Sequence, residues 1–189
     1  MMKKITALLL IVLTLASFAA CSNKPSANYD HEGYKTLLDE AIKLYPVFSE
    51  EQFAKVCHPN DIAYNVENYK KSNKDYIEAV RTALDGLNEK YTALYGEDWK
   101  ISYTIREAVE KDEKGIEKYK KYDSHYFKQY NIDTDKFQAV TFAKITVHIE
   151  GSKGSFDKDR TIQCFCIDGV WYSLYAYRIG FALAPSEGN

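Results

Sequence analysis

The chain has 189 residues, 46% hydrophobic and 28% charged, with a formal net charge of −2, a composition that excludes disordered, collagen-like and multi-span membrane chains. Removing the first 20 residues leaves 169 and takes away Lys3 and Lys4, which moves the balance to −4. That length suits one well-buried domain, and that charge argues against a nucleic-acid partner, since neutralising a phosphate backbone takes a basic surface.

The N-terminus reads Met1-Met2-Lys3-Lys4, then Ile5 to Phe18 without a charge, then Ala19-Ala20-Cys21. A charged start, a short apolar run and small residues make a secretory leader over 1–20. Fourteen apolar residues fall short of the roughly 20 that a helix needs to cross a bilayer, so a retained span is not expected. Ser17-Phe18-Ala19-Ala20-Cys21 resembles the lipobox of bacterial lipoproteins, with Phe18 where that family carries an aliphatic residue. The resemblance implies that Cys21 becomes the first mature residue, carries diacylglycerol, and holds the protein on the extracytoplasmic face of the cell membrane. Two acyl chains give the stable anchoring that one does not. Residues 21–29, polar and broken by Pro25, read as a tether; the seven residues after Cys21 span at most about 25 Å, which keeps the body near the lipid.

Within a single domain over 30–189, Tyr34, Leu37, Leu38, Ala41, Ile42 and Tyr45 fall at helical spacing before Pro46. Ser49-Glu50-Glu51-Gln52 has the form of a capping box and starts a short second helix, expected to end before Pro59. After the cap signal at 72–75, Ile77, Val80, Leu84, Leu87, Tyr91 and Leu94 define the clearest helix, closed by Gly96. Trp99, Ile101, Tyr103 and Ile105 alternate as a half-buried strand. The helical period returns from Glu113 to Tyr130 with an arc of Ile116, Tyr119, Tyr122, Tyr126 and Tyr130. Three strands then follow, Phe137–Ile149, Arg160–Ile167 and Val170–Ile179, the first two joined by a long loop over 150–155 and the last two by a tight Asp168-Gly169 turn.

Helices followed by an antiparallel meander make an α+β fold, with N-terminal helices packed on a strongly curved antiparallel sheet. The order over Tyr34–Ile179 resembles the cone fold named after nuclear transport factor two, shared by ketosteroid isomerase and polyketide cyclases. That resemblance implies a cone-shaped cavity but no single function, because the fold hosts enzymes, binding modules and interaction domains.

The chemistry-bearing residues are sparse. Cys57, Cys164 and Cys166 admit three readings: buried free thiols, one disulfide from Cys57 to one of the pair, or metal or redox chemistry, a zinc site adding Cys57 or His58 to Cys164 and Cys166. Cys164 and Cys166 lie two apart on one strand face, about 6.6 Å between Cα atoms, so a bond between them would be strained. His31, His58, His125 and His148 form no ligand pair, and neither a serine elbow nor a phosphate loop is present. No catalytic residue, metal site or cofactor is therefore expected. Sixteen tyrosines suit either core packing or a stacking surface for sugars and flat ligands. On the second reading, Trp171, Tyr175 and Tyr103 line a ligand site through shared strand parity, with His148 as its titratable member. The expected function is non-catalytic binding of a small molecule or cell-wall component. The rival is an interaction domain whose sheet face meets another subunit, as in a homo-oligomer, and an isomerase-type enzyme would need His148 and a carboxylate in one cavity.

Overall fold

A computed structural model of the chain describes residues 29–181 and Leu183; the leader, Cys21 and most of the tether lie outside these residues. The chain is α+β, with four α-helices, a long strand, two further helices and three more strands. Strands β1 (Lys100–Glu110), β2 (Phe137–Gly151), β3 (Gly154–Ile167) and β4 (Val170–Tyr172) form one antiparallel sheet in the order β1-β2-β3-β4. The sheet is not strongly curled, in contrast to the curvature expected from the sequence. Nearly all its pairing lies between three long strands, and β4 is too short to wrap it.

Helices α1 (Gly33–Ile42), α2 (Glu50–Val56), α3 (Pro59–Lys70) and α4 (Tyr76–Tyr95) precede the sheet. Ser49 caps α2 by accepting from the Gln52 N–H, but the Gln52 amide reaches to Glu40 of α1 instead of returning to the cap, so half the capping box becomes an inter-helix bond. Asp75 caps α4 by accepting from Ile77 and Glu78. Along α4, Val80, Leu84 and Tyr91 are buried, Ile77 and Leu87 partly so, and Leu94 is exposed; Tyr76 and Tyr95 complete the buried face. The main core joins these helices to Ala143, Ile145, Val147, Ile149, Cys164 and Cys166 of the sheet. The ring of Trp171 packs where a Cβ on Gly33 would stand 2.4 Å away, so α1 needs glycine at its start.

The opposite face of the sheet is covered at one end by α5 (Glu113–Tyr122) and α6 (Ser124–Gln129), which build a second core from Tyr119, Phe127, Phe137, Val140 and Phe165. The sequence period suggested one helix over this stretch; it breaks at Asp123, which ends α5 and begins α6.

Four further expectations change. Pro59 does not merely stop α2: it occupies the first turn of α3, whose cap is His58, with Nδ1 accepting from the Asn60 N–H at 3.1 Å. The β2–β3 connection is a two-residue turn, with Gly151 paired to Gly154; Ser152 N–H donates to Asp98 and Lys153 N–H to the Tyr95 carbonyl, so the end of α4 holds it and β3 starts six residues early. Strand β4 stops at Tyr172, and the chain continues through a 3-10 turn at Ala176–Arg178. Tyrosine hydroxyls hold that segment: Tyr45 and Tyr91 donate to the carbonyls of Tyr177 and Gly180, and Tyr95 to that of Leu183. The Asp168-Gly169 turn forms as expected, with φ of 51° and 79°. Finally, Tyr29 belongs to the body and not to the tether, because its hydroxyl donates to Glu110 at 2.7 Å and its ring meets Trp171.

Candidate functional site

Helices α3 and α4 and the segment after β4 line an open cavity of about 230 Å³, to which Tyr130 at the end of α6 also contributes. Asp61 lies in the first turn of α3 with Asn65 one turn later, a spacing that stacks the two side chains on one face. Asn65 Nδ2 donates to Asp61 Oδ1 at 2.7 Å and to the Asp61 carbonyl at 2.9 Å. Asp61 is only 4% exposed. Burial pushes its carboxyl up to about 6, against the opposing pull of Asn65 and Arg178.

Arg178 lines the same cavity and makes no direct ion pair with Asp61. Its guanidinium lies 5.6 Å from the Tyr175 ring centroid and 5.2 Å from that of Tyr177, and its Nε donates to the Tyr177 hydroxyl at 2.9 Å. The remaining walls include Tyr69, Tyr76 and Tyr130. The arrangement offers an acceptor, an amide and a cation among aromatic faces, a set that can orient a small polar ligand.

The four residues singled out from the sequence do not converge. Trp171 and Tyr103 do share the helix-covered face of the sheet: Trp171 pairs with Cys166, and Tyr103 with Val147. Trp171 is 5% exposed and donates Nε1–H to the Asp30 carbonyl at 2.7 Å; Tyr103 donates to Asp39 at 2.7 Å. His148 faces the other side of the sheet, because its register partners are Ser102 and Asp157. Tyr175 lies beyond β4, 39% exposed, and is the one of the four that lines the cavity. Cys21 lies outside the described residues.

His148 stands between two polar partners on neighbouring strands. Its Nδ1 is 2.8 Å from Asp157 Oδ1 and its Nε2 is 2.9 Å from Thr104 Oγ1. Carboxylate, imidazole and hydroxyl in that order match the polar relay of acyl-transfer enzymes. Here the three side chains stand on the solvent-facing half of the sheet beside the Thr146–Asp159–Arg106 contacts, and none lines the cavity. The three side chains form a cross-strand polar ladder on an exposed part of the sheet.

Cys57, Cys164 and Cys166 are free and buried. Burial pushes the Cys164 thiol up to about 12 and that of Cys166 to about 11, so both stay protonated at neutral pH; the Cys166 thiol donates to Gln138 Oε1 at 3.5 Å. Among the described residues, no three His, Cys, Asp or Glu side chains gather as a metal site.

The sequence reading does not single out Asp61, Asn65 and Arg178, because it assigns no element to 59–70 and places Arg178 in a strand over Val170–Ile179. Their signals were nonetheless present: Pro at a helix start, an acid in the first turn, and Ile62, Val66 and Tyr69 at steps of four and three. Arg178 follows Tyr175-Ala176-Tyr177, a run that an alternating strand pattern also fits. Compared with protein-family models, curated proteins and solved structures, the chain matches none.

Proposed function

We propose that the protein is a lipid-anchored extracytoplasmic binding domain, held through Cys21, that takes up a small polar molecule or cell-wall component in the Asp61–Arg178 cavity. The observation that carries the reading is a buried carboxyl and a ring-stacked guanidinium that line one cavity without neutralising each other directly. A ligand hydroxyl or amide placed between them satisfies both, and the tyrosine walls supply stacking area. The signal, tether and lipobox of the sequence support the anchor, and among the described residues no helix is long and apolar enough to cross a membrane. Helices before a closing antiparallel meander support a nuclear-transport-factor-two-like classification.

Assembly through an apolar sheet face has less support, because the uncovered half of the sheet carries His148, Asp157, Asp159, Arg106 and Lys144. Native mass spectrometry of the chain isolated from its membrane at neutral pH tests the binding reading. A bound small molecule that disappears in Arg178→Gln is expected; a folded wild-type chain that is consistently empty, or a ligand retained by Arg178→Gln, overturns it. The N-terminal peptide of the same sample must begin at Cys21 and carry a diacylglycerol mass.

A further inference from the structure

A second cavity, of about 360 Å³, lies on the far side of Tyr175. It opens where β4 ends early: β3 is paired with β4 only from Phe165 to Ile167, which leaves Thr161 to Gln163 beside the cavity without a β4 partner. Its other walls are Tyr122, Asp123, Tyr126, Ser173 and Tyr175.

Asp123 is the unusual member. It is 6% exposed, sits at the break between α5 and α6, and its side chain caps neither helix. Its Oδ2 is fully buried with no hydrogen-bond partner, and no lysine or arginine of the described residues lies within ion-pair distance of it. A buried carboxyl without donors is costly, and native structures normally complement one. Burial correspondingly pushes the Asp123 carboxyl above its ordinary value.

The surrounding rings supply what an anion alone does not. Tyr126 meets Tyr175 edge to face at 6.0 Å, and Tyr122, 79% exposed, stands at the rim. Aromatic faces around an acid attract a cation, and more strongly when water is excluded. The occupant must be small, because the cavity is, and must bring hydrogen-bond donors, because no protein group donates to Asp123 Oδ2.

We propose that this second cavity is a binding site for a primary alkylammonium group, with Asp123 as its counter-ion and Tyr122, Tyr126 and Tyr175 as its aromatic walls. The group belongs to the ligand of the first cavity or to a separate amine. The site rests on the binding reading only in sharing the Tyr175 wall, and it is measured with its own probe. Amines of this kind include the lysine side chain and the free amino groups of cell-wall peptides.

The test is titration of the folded chain, labelled with 3-fluorotyrosine, with n-butylammonium at neutral pH, using n-butanol as the neutral match and fluorine NMR as readout. Saturable shifts at Tyr122, Tyr126 and Tyr175 are expected with the ammonium and not with the alcohol. Asp123→Asn, which keeps the shape and removes the charge, should weaken binding at least tenfold, and Asp61→Asn should leave it within twofold. Tyr126→Leu serves as the second variant if Asp123→Asn does not fold, and should also weaken binding. Equal response to butanol, or unchanged affinity in the folded Asp123 or Tyr126 variant, overturns the site. Failure here with ligand still captured at Arg178 leaves the first cavity standing; binding here with Arg178 empty does the reverse.

Discussion

The two faces of the sheet differ in how they are closed. The face bearing Ala143, Ile145, Val147 and Ile149 lies under α1 to α4 in one continuous core. The other is apolar only where α5 and α6 cover it, around Val140 and Phe165, and elsewhere carries polar ladders such as Thr104–His148–Asp157. Stability therefore belongs to the first face and the covered end of the second, while exposed polar pairs contribute little. Both cavities lie at the seam between these regions, where β4 ends and the chain leaves the sheet. A sheet edge that stops early provides walls without a continuous layer to fill them.

The largest expected effect is on the closed face. Leu84 is fully buried in α4, and Leu84→Ala should cost roughly 2 to 5 kcal/mol in denaturant unfolding. Leu87, one turn further and only partly buried, should cost less when cut to Ala. Equal losses at the two positions would mean that α4 is rotated against the sheet.

At the seam the sign reverses. The Asp61 carboxyl titrates at 3.8 when unperturbed and at about 6 in the fold. Because the folded value is raised, the carboxyl favours folding below pH 4, where it is protonated, and this contribution is lost as pH rises through 6. Relative to a neutral side chain, the charged form destabilises the protein above that pH. Asp61→Asn keeps the acceptor for Asn65 and should raise stability at pH 7.5 by about 3 kcal/mol, with the advantage closing by pH 4. Unfolding midpoints across pH 4 to 8 measure it, and a pH-independent difference would mean that Asp61 is not buried.

The smallest effect belongs to the open face. Asp157→Asn, which weakens the contact to His148, should change stability by less than about 1 kcal/mol. A larger loss would show that this half of the sheet is covered in solution, which would sharpen the contrast between the faces or abolish it.

Local physics made much of this molecule readable from residues alone. Leu84 and Tyr91 mark the buried stripe of α4, Asp75 caps it, and Asp168-Gly169 forces positive φ twice; each signal acts over a few residues and needs no distant partner. The α+β class followed from the order of those periods. Two signals carried a second meaning that only the packed chain resolved. Pro59 is compatible with ending one helix and with opening the next, and it does the latter because His58 and the turn before it leave room for a new helix. The run Trp171 to Tyr177 alternates well enough for a strand, but tyrosine hydroxyls from α4 and the α1–α2 connection hold the chain after Tyr172 away from β3. The candidate site joins residues 61, 65 and 178, and its companion joins 123, 126 and 175; contacts across more than a hundred residues, or across a helix break, leave no periodicity in the sequence. Trp171 and Tyr103 share a face, as strand parity required, but parity does not say what covers a face, and burial under α1 was decided by the tertiary structure.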